Sequence, residues 1–93
     1  MKINLGAGDT KYDGFVNCDY DARTGADHIF DMEKDKFPFE DNTVEQVIAH
    51  HVFEHMGEGY FHCLQEVYRV CKHGALIDIR VPHPRHDFFL CKL

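Results

Sequence analysis

The amino-acid sequence predicts an α/β fold: a mostly parallel sheet of about five strands with a short first crossover. Three observations lead there. A short apolar run ends directly in Gly6-Ala7-Gly8, four further short apolar runs follow it, and one stretch of helical periodicity lies before the last of them. The chain has 93 residues, 44% of them hydrophobic and 28% charged, which is the composition of one folded domain rather than of a disordered segment.

Ile3 to Leu5 reads as the first strand, closed by the glycine turn. Phe15 to Tyr20 is the second, and Ala26 to Phe30, entered through Thr24-Gly25, is the third. Residues 6–14 between the first two are fewer than the ten to twelve that a crossover helix takes, so that crossover is a loop with at most one helical turn. Phe37-Pro38-Phe39-Glu40-Asp41-Asn42 is a turn, because proline fixes turn geometry and Asp-Asn tolerates it. Val44 to His50 is the fourth strand. Phe61, Leu64, Val67, Tyr68 and Cys71 recur at spacings of three and four and predict a helix buried along that stripe, with Cys63 and Cys71 on one face. Lys72 and His73 fit its last turn and Gly74 its stop. Ala75 to Val81 alternates at its end and halts at Pro82, which makes it the fifth strand.

Charge and composition exclude several roles. The net charge of −6 argues against nucleic acid, whose phosphates require a basic surface. The first 62 residues are strongly acidic and the remainder slightly basic, which leaves room for an anionic substrate near the C-terminus. No apolar run approaches the ~20 residues of a membrane span. The start, Met1-Lys2-Ile3-Asn4, shows no secretory leader, and Cys18, Cys63, Cys71 and Cys91 form no CxxC pair, so the expected compartment is cytoplasmic with reduced thiols.

The glycine turn stands at the carboxyl edge of the sheet, where α/β folds bring backbone close to a ligand and a side chain would obstruct it. A dinucleotide fingerprint would want a further glycine where Lys11 stands, which disfavours a nicotinamide-binding oxidoreductase. Asp19 ends the second strand, where a carboxylate can accept both hydroxyls of a ribose. Asp31, followed by Met32, ends the third. His50, His51, His55 and His62 lie within thirteen residues, so charge there changes steeply between about pH 5 and 7. His51 and His55 have a metal-ligand spacing if helical, but the order His-Glu-x-x-His and a third ligand are lacking, and no metal is expected.

Five blocks in order carry a resemblance over nearly the whole chain: Asn4-Leu5-Gly6-Ala7-Gly8-Asp9, Gly14-Phe15-Val16-Asn17-Cys18-Asp19, Phe37-Pro38-Phe39-Glu40-Asp41-Asn42-Thr43, His51-Val52-Phe53-Glu54-His55, and Glu66-Val67-Tyr68-Arg69-Val70-Cys71-Lys72-His73-Gly74. Together they resemble a short class I, type-11-like S-adenosylmethionine-dependent methyltransferase. The resemblance implies a Rossmann-like sheet binding S-adenosylmethionine across the carboxyl ends of its strands. By position, Gly6, Ala7 and Gly8 would line the methionine and ribose part, Asp19 would hold the ribose hydroxyls, and Asp31 with Met32 would flank the adenine. His50 and His51 would border the methionine moiety and the methyl group. His73-Gly74 stands where the family often has Pro-Gly-Gly.

Methyl transfer to an O or N nucleophile requires removal of a proton, a task suited to histidine near neutral pH, and His51 and His55 are the candidates. Glu54 and His55 equally suit hydrogen bonds that fix the turn after the fourth strand. Pro82-His83-Pro84-Arg85-His86-Asp87-Phe88-Phe89 follows the fifth strand; in the family such a segment forms part of the substrate side, and a surface loop is the equal alternative. The methyl acceptor is not identified by the sequence, and a non-catalytic module that binds the cofactor or a partner is the alternative. The resemblance implies about seven strands where five can be counted, a truncated fold whose open sheet edge favours association into a homo-oligomer.

Overall fold

The computed structural model describes residues 1–8, 10–53 and 56–80 together with the backbone of 87–91. Five parallel strands, β1 (Lys2–Leu5), β2 (Val16–Asp19), β3 (His28–Ile29), β4 (Val44–His50) and β5 (Cys71–Arg80), build the Rossmann-like sheet. A sixth strand, β6 (Asp87–Cys91), pairs antiparallel with β5, giving the order β3-β2-β1-β4-β5-β6. The start of β6 falls in the segment expected to be a loop, and it moves the open edge from β5 to β6. A 3-10 turn at Ala22–Thr24 links β2 to β3, and one helix, α1 (Tyr60–Val70), links β4 to β5. No helix among the described residues is long and apolar enough to cross a membrane.

The register divides the sheet into two unlike faces. Ile3 lies beside Val47, which lies beside Ile77, and with Leu5, Cys18 and Ala49 these side chains form the core with Cys63, Val67 and Val70 of α1. Alternation along each strand places Lys2, Asn4, Asn17, Gln46, His50, Asp78 and Arg80 on the opposite face. Parallel sheets are normally apolar on both faces because helices cover both. Here the second face is mostly polar, Ile48 and Leu76 being its apolar members, and the loop between β1 and β2 covers part of it instead of a helix. Asn4 Nδ2 donates to Thr10 O and to Asn17 Oδ1, both at 3.0 Å, so the loop and strands β1 and β2 satisfy one another.

Two details of α1 depart from expectation. Phe61 and Tyr68 are 73% and 62% exposed, whereas Cys63, Glu66, Val67 and Val70 are buried. The buried stripe is rotated because Glu66 has partners that no periodicity reveals: it accepts the Phe37 N–H at 2.7 Å and pairs with Arg69 at 2.8 Å. The Arg69 guanidinium in turn donates to the carbonyls of Phe37 and Phe39 and to Asp41, tying the loop of residues 37–41 to the helix. The Arg69 bonds, and secondarily the Phe37 N–H, hold the Glu66 carboxyl below its ordinary range. The helix also stops earlier than expected. Cys71 is extended, so it shares no helical face with Cys63, and Lys72 and His73 belong to β5. Gly74, at φ +77°, sits in an irregularity where Val44 pairs with Cys71 but Gln46 pairs with Leu76.

Candidate functional site

The turn after β1 has two left-handed glycines, Gly6 at φ +65° and Gly8 at φ +53°. At Gly6 an added Cβ would overlap the Val52 Cγ2 methyl, so space and backbone both require glycine. At Gly8 an added Cβ meets nothing within 4 Å. Between them Ala7 is buried, its N–H donating to Cys18 O at 3.0 Å and its carbonyl accepting from Thr10 at 2.8 Å. Asp19 locks the turn to the end of β2. One carboxylate oxygen accepts the Gly8 N–H at 2.8 Å, and the other accepts the Asp21 N–H at 3.0 Å.

Two clefts open at the carboxyl edge of the sheet and meet at the glycine turn. The first, of about 220 Å³, is lined by Gly6, Asp19, Asp31, Met32 and His51, joined by Tyr20, Glu33, Val52 and Met56. The second, of about 560 Å³, is lined by Gly6, Ala7, Gly8, His50 and His51, joined by Asn4, Thr10 and Tyr12. Gly6 and His51 belong to both. Of the nine residues assigned to the site from the sequence, Gly6, Ala7, Gly8, Asp19, Asp31, Met32, His50 and His51 line the groove that these two clefts make. His55 lies outside the described residues, as do Glu54, His83, Arg85 and His86.

Local chemistry explains each wall. Asp31 Oδ1 accepts the Glu33 N–H at 2.9 Å and its carbonyl accepts from Asp35 at 2.8 Å, so Asp31 closes a tight turn while lining the cleft. Glu33 Oε1 accepts the Gly57 N–H at 2.7 Å and brings the approach to α1 against the same wall. His51 adopts φ +58°, a region that a bulky residue enters only under strain, with its N–H on Arg80 O at 2.6 Å. His50 Nε2 is 3.2 Å from Asp78 Oδ2. The fully buried Cys18 beside the groove is no nucleophile, because burial first, then Asp27 and Asp19, push its thiol up to about 12.

Sequence reasoning missed Asn4, Thr10, Tyr12, Met56 and Asp78. Asp78 had one legible signal, a carboxylate alternating with Ile77 and Ile79 in a strand. Neither cleft is lined by a lysine or arginine among the described residues, and the glycine turn leads into no helix. A pyrophosphate would find neither a cation nor a helix N-terminus there.

No curated protein and no solved structure matches the chain as a relative. The sequence profile of a methyltransferase domain family, type 11, matches residues 15–78. That span holds Asp19, Asp31, Met32, His50, His51 and Asp78, and the glycine turn joins them through the Asp19 carboxylate. With the match covering more than half of its length and the parallel sheet it requires in place, the chain belongs to this methyltransferase domain family.

Proposed function

We propose that the protein is an S-adenosylmethionine-dependent methyltransferase whose donor lies along the groove, the nucleoside in the smaller cleft and the amino-acid part in the larger. One observation carries this above all: two clefts meet at Gly6 and His51, with an anchored carboxylate, Asp19, on one side and a glycine turn on the other. The residues present fit such a group. Asp19 keeps acceptor capacity for ribose hydroxyls beyond its two backbone bonds, Met32 offers an apolar surface to adenine beside Asp31, and the open space at Gly8 leaves a cradle that any side chain would fill. The acidic and neutral lining suits a donor bearing sulfonium and ammonium charge.

When bound, S-adenosylmethionine supplies a methyl group already activated by its sulfonium centre. The chain's own work is to orient donor and acceptor, exclude water and receive a proton. In this proposal Gly6, Ala7 and Gly8 border the amino-acid part, His50 and His51 border the methionine moiety and the methyl group, and a histidine, His55 among the candidates, receives the proton. Titration calorimetry with S-adenosylmethionine and S-adenosylhomocysteine tests it: binding of both is expected, and binding of neither at about 1 mM overturns it. Binding without S-adenosylhomocysteine production in cell extract would instead mark a cofactor-binding module.

A further inference from the structure

His50 ends β4 on the polar face of the sheet and lines the larger cleft. Its Nε2 lies 3.2 Å from Asp78 Oδ2, and Arg80 Nε donates to Asp78 Oδ1 at 3.2 Å. The register explains the meeting: Ile48 pairs with Asp78 and His50 with Arg80, so the three polar side chains share one face and His50 reaches back diagonally. Asp78 is only 7% exposed. Removing a carboxylate from water is costly, and apolar replacements of buried ion pairs are often neutral or stabilising, so stability alone does not account for this pair. A carboxylate at Nε2 fixes the proton on that nitrogen and leaves the lone pair on Nδ1. Among the described residues Nδ1 makes no hydrogen bond. The Tyr12 ring stands edge-on to the imidazole at 6.3 Å and 81°.

We propose that His50 is the general base for methyl transfer, that Asp78 is its positioning residue, and that the acceptor is a neutral O–H or N–H group rather than a carboxylate. This rests on the methyltransferase function proposed above. The acceptor's lone pair forms its bond to the methyl carbon as the S–CH₃ bond of the sulfonium donor breaks, and the electron pair stays on sulfur, leaving a neutral thioether. The acceptor's proton passes to His50 Nδ1, the resulting imidazolium is held by Asp78, and water then takes the proton. A carboxylate acceptor brings no proton and would leave an oriented base without a task.

Nitrogen-15 NMR of the full chain, labelled at histidine, reads the tautomer without donor or acceptor. His50 is expected as the Nε2–H form in the wild type and shifted toward Nδ1–H in Asp78→Asn, whose amide can donate to Nε2. Acylation by diethyl pyrocarbonate, followed at His50 by peptide mass spectrometry, is expected to slow roughly tenfold or more in the same variant. Its S-adenosylhomocysteine affinity should stay within about twofold of wild type. A wild-type His50 protonated on Nδ1 overturns the proposal, and so do a tautomer and acylation rate unchanged by Asp78→Asn. Should the variant not fold, the wild-type tautomer alone decides. A wild type with the expected tautomer but no S-adenosylhomocysteine binding places the failure in the donor assignment instead.

Discussion

Replacing Gly6 with alanine tests the foundation of the groove. Two costs add at this position. An L-residue in the left-handed region costs about 1–2 kcal/mol, and the new Cβ must displace Val52, whose Cγ2 it overlaps and whose Cγ1 would lie 3.3 Å away. Overpacking of that kind costs about 1–3 kcal/mol, while the stiffer unfolded chain returns about 0.4–1 kcal/mol. The expected loss is therefore about 2–4 kcal/mol, a large share of the roughly 5–14 kcal/mol available to a domain of 93 residues. Gly8→Ala supplies the control, because φ is again positive but nothing crowds the Cβ, and its loss should be about 1 kcal/mol. Urea unfolding followed by circular dichroism gives both values, provided that the denaturant slope is unchanged. Truncation to Val52→Ala should bring the cost of Gly6→Ala down to that of Gly8→Ala, a coupling of about 1–3 kcal/mol. Equal losses at the two glycines, or no coupling to Val52, would refute the reasoning.

Three further perturbations probe other parts of the site. Asp19→Ala removes the acceptor of the Gly8 and Asp21 N–H groups. It should weaken S-adenosylhomocysteine binding by about 1–3 kcal/mol in calorimetry, and unchanged affinity would remove Asp19 from the site. Because Glu66 is held below its ordinary 4.5 in the folded chain, its stabilisation is complete above that value and is lost as pH falls through it toward the lower folded value. Glu66→Gln should therefore flatten the acid side of a plot of melting temperature against pH. His51→Gly and His51→Ala both remove the imidazole, but only glycine is at ease at φ +58°, where about 1–2 kcal/mol of strain is relieved against about 0.5–1 kcal/mol of added chain entropy. In urea unfolding the glycine variant should therefore be the more stable by roughly 1 kcal/mol, and a glycine variant less stable than the alanine one would show the strain to be absent.

Much of the framework was legible because local chemistry repeats at short range. β4 spans Val44–His50 as read, since an apolar run bounded by a turn and a histidine pair allows little choice. Gly74 shows where local chemistry runs out: a left-handed glycine closes a helix or makes a strand irregularity with the same backbone geometry, and only pairing with β4 distinguishes them. The stripe of α1 has the same ambiguity. Phe61 and Tyr68 have the spacing of a buried face as surely as Cys63, Val67 and Val70, and the Phe37 N–H reaching Glu66 selects the second set, with Leu64 partly buried at its border.

By itself, the sequence determined the glycine turn, the carboxylates ending the second and third strands, the histidine pair at the end of the fourth and the acidic balance that argues against nucleic acid. These are properties of a residue and its few neighbours. The tertiary structure alone decided that one face of the sheet is mostly polar and covered in part by a loop, that two clefts join at Gly6 and His51, and that His50 meets Asp78. Each depends on register between strands far apart in the chain, and a shift of one residue would turn the polar side chains into the core.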